Sequence, residues 1–103
     1  MTPRKGKPEP LGAALAGFLE RAGLTERIER ASIVDEWPLL VGEQIAAVTA
    51  ARMVTRDGTL FVDVATNAWM QELSLMEPQL LNALRQRPAG ASLERIRWRM
   101  ARV

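Results

Sequence analysis

Arg95, Arg97 and Arg99 stand at alternate positions near the end of the sequence, and they carry its clearest chemical signal. In an extended chain successive side chains point to opposite faces, so the three guanidinium groups share one face, about 7 Å apart along the strand. A guanidinium is planar, always charged and forked, and it matches the paired oxygens of carboxylate or phosphate. Ile96, Trp98 and Met100 alternate with the arginines and point the other way. The row therefore reads as the solvent side of a strand, suited to a nucleic-acid backbone or an acidic protein. Asp63 on a neighbouring strand can pair with one arginine, but three cations against one acid leave a surplus. Arg52 and Arg56 are placed to extend the row. Lys5 and Lys7, in the basic stretch MTPRKGKPEP, would each add one salt-dependent phosphate contact.

Other chemistry is bounded by inventory. The 103 residues include no Cys, no His and no Tyr. Disulfides, thiolate or imidazole metal sites, Ser-His-Asp triads and Cys-His dyads are thereby excluded. The carboxylates form no convincing catalytic pair. Asp35 and Glu36 are adjacent and diverge on a helix, while Glu26 and Glu29 have Arg27 and Arg30 alongside. No Gly-x-x-x-x-Gly-Lys-Ser/Thr loop is present to hold phosphates. Neither enzymatic activity nor a cofactor or metal is expected. The net charge is only +2, yet twelve of the fourteen basic residues are Arg, so charge placement matters more than the total.

The arginine row needs a sheet to hold it, and the stretch Arg52–Met76 supplies the frame. Asp57-Gly58 between two alternating runs signals a hairpin with a two-residue type I′ turn, which needs positive φ at both central positions. Leu60, Val62 and Val64 sit at period two and share one face. Thr66 and Asn67 offer oxygens to cap the next helix. On that helix Trp69, Leu73, Met76, Leu80 and Leu84 form one apolar stripe. Sheet face and stripe bury each other.

Upstream, Leu11, Leu15, Phe18 and Leu19 predict a short helix ended by Gly23. Thr25 caps a second helix that points Ile28, Ala31, Ile33 or Val34, and Trp37 inward. Pro38 kinks or breaks it, and a third piece follows from about 38 to 48. Strands are expected over 51–56, 58–65 and 93–103, with a helix from 67 to 86 that Pro78 kinks. The second and third strands flank a helix, so they run parallel with a right-handed crossover. The fold class is α+β: helices, then β-β-α-β, with a three-stranded mixed sheet covered by helices on one face. Residues 1–10 read as a disordered basic tail and 11–103 as one domain. No run approaches the roughly 20 apolar residues of a membrane span. The uncharged run Pro10–Leu19 lacks a convincing cleavage site, so a cytoplasmic location is expected.

Four pieces now carry a family resemblance: Trp37-Pro-Leu-Leu-Val-Gly42, Asp57-Gly-Thr-Leu-Phe-Val-Asp-Val64, Ala68-Trp-Met-Gln-Glu-Leu73 and Ile96-Arg-Trp-Arg99. Together, in order and spacing, they resemble the bacterial DciA family over roughly residues 11–103. The resemblance implies a KH-like domain that binds the hexameric DnaB-type replicative helicase. It implies help in placing that helicase on single-stranded DNA at the replication origin, without an ATPase activity of its own. The alternative is a KH-like protein acting on RNA. Against it, the Gly-x-x-Gly loop with which KH domains clamp nucleic acid is absent, and Phe61 is the only aromatic expected on the open sheet face.

Trp37, Trp69 and Glu72 are the candidate partner contacts. Both tryptophans lie on apolar helical stripes, which fits core packing as well as a part-exposed anchor for a helicase surface. Glu72 lies one turn after Trp69, at the solvent edge of its stripe.

Overall fold

The structure is a computed structural model and describes residues 10–103. Lys5, Lys7 and the remainder of the expected basic tail lie outside the described residues, except that Pro10 is the first residue of a helix. In chain order the elements are α1 (Pro10–Arg21), α2 (Leu24–Val41), α3 (Glu43–Ala46), β1 (Thr49–Val54), β2 (Thr59–Val64), α4 (Asn67–Arg85), a 3-10 turn (Pro88–Gly90) and β3 (Arg95–Met100).

The sheet has the order β1-β2-β3. β1 and β2 are antiparallel, and β2 and β3 are parallel, as the intervening α4 requires. Leu60, Val62 and Val64 are fully buried on the helix-covered face. They join Ile33 and Trp37 of α2, Leu73, Leu81 and Leu84 of α4, and Leu93 and Ile96 in one core. Burying each such aliphatic side chain contributes roughly 1.5–3 kcal/mol. Thr66 caps α4, its hydroxyl accepting the Trp69 N–H at 3.2 Å.

Several local features differ from the sequence expectation. The hairpin is not a two-residue type I′ turn. Residues 55–58 form a four-residue loop in which the Gly58 N–H donates to Thr55 O and Gly58 alone has positive φ, at 89°. Asp57 keeps negative φ because the longer loop asks only its last residue to reverse. Gly58 is also a docking point. Its carbonyl accepts the Glu94 and Arg95 N–H groups, and a Cβ there would lie 2.6 Å from Ser92 O.

Neither proline ends a helix. α2 continues through Pro38 to Val41, and α4 continues through Pro78 to Arg85. The break after α2 falls at Gly42, whose φ of 89° and ψ of 166° leave helical space. Thr25 is not the N-cap, since α2 begins at Leu24 after Gly23 and no side chain caps it. Ile28 is not inward either: it is 61% exposed, and α2 starts burying side chains only at Ile33. β2 and β3 are shorter than expected, and β1 starts and ends two residues earlier than expected, because pairing rather than composition sets strand ends.

Candidate functional site

The parallel register sets Arg95 opposite Thr59, Arg97 opposite Phe61 and Arg99 opposite Asp63. All six side chains project from the sheet face that carries no helix. Thr59 and Asp63 are nevertheless buried, at 5% and 7% exposure, beneath the arginines themselves. The row is exposed, as the alternation predicts.

A β-bulge in β1 between Ala51 and Met53 supplies a fourth guanidinium. Ala51 packs on the core and Val54 is buried, whereas Met53 is half exposed. Arg52 is the extra residue. Were β1 regular through Arg52, the alternation from Ala51 would put Met53 inside and Val54 outside. A bulge lets two consecutive side chains leave the same face. Arg52 Nε donates to Asp63 Oδ2 at 2.8 Å, and Arg99 Nε to Asp63 Oδ1 at 3.0 Å. These two bonds, that from Arg52 first, hold the Asp63 carboxyl below its ordinary value of 3.8 against the opposing effect of burial.

The five candidate arginines of the folded part thus divide. Arg52 and Arg99 share one carboxylate, and Arg99 also lies 5.1 Å over the Phe61 ring. Arg95 donates to the Thr59 hydroxyl at 2.6 Å and stands 3.5 Å from Asp57. The Thr55 hydroxyl, and then more weakly Thr59 and Arg95, lower the Asp57 pKa. Arg97 and Arg56 make no ion pair among the described residues. Arg56, Arg95, Arg97 and Phe61 line one shallow cleft on the open face. Arg52 therefore lies beside the row without adding a free charge to it.

Two α4 side chains that the sequence did not single out hold β3 in place. Glu77 accepts the Ile96 N–H at 3.2 Å and the Trp98 indole N–H at 3.1 Å. Arg85 Nε donates to Leu93 O at 2.6 Å. Glu77 satisfies an edge N–H that no strand reaches. No local pattern announces that, because the acceptor and its donors are 19 and 21 residues apart.

The partner residues separate too. Trp37 is 1% exposed, its indole N–H donates to Thr49 Oγ1 at 2.9 Å, and its ring stands 6.2 Å from that of Trp98. It is a core residue and not the expected partner contact, because the apolar ring is covered and its one polar group is already bonded. Trp69 and Glu72 do come together. Half-buried Trp69 and exposed Glu72 line a cleft of ≈ 460 Å³ with Ile45, Ala68 and Met76, on the helix side of the molecule.

Among the described residues no group of acidic side chains is placed to hold a metal, and no helix is long and apolar enough to cross a membrane.

Comparison with known families gives the chain its setting. The family model described as "Dna[CI] antecedent, DciA" matches residues 10–98. The chain belongs to the DciA family. A UPF0232 protein of Mycobacterium tuberculosis is 34% identical over 74 residues, which cover 72% of this chain and 39% of that protein. A UPF0232 protein of Rhodococcus jostii is 32% identical over the same span and coverage, and one of Mycolicibacterium smegmatis is 31% identical, covering 38% of its length. The chain thus spans about two fifths of the curated relatives it matches. In this DciA-family chain the motif pieces do structural work. Trp37 fills the core, Gly42 breaks the helix, Gly58 docks β3, and Trp69 with Glu72 edges a cleft.

Proposed function

We propose that this chain is a non-enzymatic adaptor of DNA replication that binds the DnaB-type replicative helicase and assists its loading onto single-stranded DNA in the cytoplasm. The observation that carries this reading is the match to the DciA model across residues 10–98. Its mechanism is adhesion and positioning. The helix side, with Trp69 and Glu72, meets the helicase, while the uncovered sheet face, with Arg97 and Arg56 least neutralised, contacts DNA phosphates. Lys5 and Lys7 add to the same electrostatic attraction, and residues 11–103 act as one domain. Mixing the purified chain with the replicative helicase of its own organism tests the reading by pull-down. The helicase is retained if the reading holds. No retained helicase, with RNA co-purifying instead, would replace it with a KH-like RNA-binding role.

A further inference from the structure

The arginine surface does not stop at the hairpin. Arg56 lines the open-face cleft with Arg95, Arg97 and Phe61. It also lines a second, more enclosed cleft of ≈ 530 Å³ on the other side of the hairpin, where Arg27 and Arg30 of α2 meet it beside Gly23. Arg27 and Arg30 are three apart and so share one helix face. They continue into a third cleft along β1, which Arg52 and Asp35 also border. Arg30 is half buried, while Arg27 and Arg56 are exposed.

Against these three guanidinium groups the second cleft holds one carboxylate, that of Glu26. None of Arg27, Arg30 and Arg56 is in an ion pair among the described residues. Three cations around one concavity with a single acid make a positive potential that an anion relieves. Forked donors arriving from two elements suit the tetrahedral display of oxygens on a phosphate.

We infer that the cleft between α2 and the hairpin is a second phosphate-binding subsite, which takes the backbone of single-stranded nucleic acid as it crosses the hairpin from the open sheet face. The inference rests on reading that face as a DNA contact. Arg56 joins the two clefts into one track, and the track passes Phe61, whose ring carries the Arg99 guanidinium as a planar outer surface on which a base can stack. A nucleic-acid strand uses both features, whereas an acidic peptide uses only the charge.

The test is fluorescence polarisation at low salt with labelled oligothymidylates of about 4 and about 16 nucleotides, the range bound by one small single-strand-binding fold. Arg27→Gln with Arg30→Gln is expected to weaken the long oligonucleotide about tenfold and to lower its salt slope by about 1.4, two contacts at roughly 0.7 each. The short oligonucleotide keeps its affinity, and Arg97→Glu weakens both. Because Arg30 is half buried, the exposed Arg27→Glu is measured alongside, with the same direction expected. Wild-type affinity and slope for the long oligonucleotide in both α2 variants, with Arg97→Glu still impaired, overturns the subsite and leaves the sheet-face reading standing. Unchanged binding of both lengths by Arg97→Glu overturns the sheet-face reading, and the inferred track with it. Displacement by polyglutamate as effective as by unlabelled oligothymidylate assigns the cleft to acidic protein instead.

Discussion

Asp63 holds Arg52 and Arg99 through separate oxygens while almost covered by them. It therefore restrains the charge of the face it helps to build. Asp63→Asn is expected to free both guanidinium groups, tightening single-stranded DNA binding and steepening its salt slope by up to about 1.4. An unchanged slope would show that this pair does not limit binding. Both arginines are nearly half exposed, so the stability lost is small, about 1 kcal/mol. The pH dependence has a definite sign. The folded-state pKa of Asp63 is lowered, so its stabilisation is complete above the ordinary value of 3.8 and is lost as pH falls through the depressed value. Denaturant midpoints taken from pH 5 downward should fall less steeply in Asp63→Asn than in the parent. Arg97 is the converse case. It has no acid partner among the described residues, so Arg97→Glu should cost more DNA affinity than Arg95→Glu or Arg99→Glu in a polarisation titration.

β3 is an edge strand, and its place depends on bonds from outside the sheet. The Gly58 carbonyl accepts its first N–H groups, Arg85 holds the approach at Leu93, and Glu77 accepts from Ile96 and Trp98. Glu77→Ala leaves two donors without a protein acceptor, a loss of roughly 1–3 kcal/mol where they stay dry. The expected result is a lower melting temperature, with fast amide exchange confined at first to β3. DNA affinity should fall too, although no arginine is changed. Exchange rising evenly across all three strands would argue that Glu77 is not a local anchor. The bulge in β1 acts at the same scale, because one extra residue returns Val54 to the core and leaves Arg52 free to meet Asp63.

In the molecule as a whole the cleft of Trp69 and Glu72 and the row Arg95, Arg97 and Arg99 lie on opposite sides of the sheet. Trp69 and Glu72 sit on α4 in the helix layer, the β3 arginines sit on the bare face, and Arg27 and Arg30 stand at the α2 end by the hairpin. Under the proposed function this separation would let helicase and DNA be held together. Glu72→Lys alters an exposed side chain on the helix side. It should lower helicase retention in the pull-down while leaving DNA polarisation curves superimposable on those of the parent. Loss of both activities together would mean that the surfaces are not separate.

The α+β order, the parallel crossover, the buried Leu60-Val62-Val64 face, the Thr66 cap and the outward arginine row could all be read from the chain. Each depends on spacing between near neighbours, and near neighbours are fixed by covalent geometry. Which arginines remain unneutralised could not be read. That depended on Asp63 lying within reach of Arg52 across a bulge and of Arg99 across a parallel register, at separations of 11 and 36 residues. The same limit hid the meeting of Arg27 and Arg30 with Arg56. Charge and apolarity are properties of a residue, but neutralisation and burial are properties of its neighbours, and only folding chooses those.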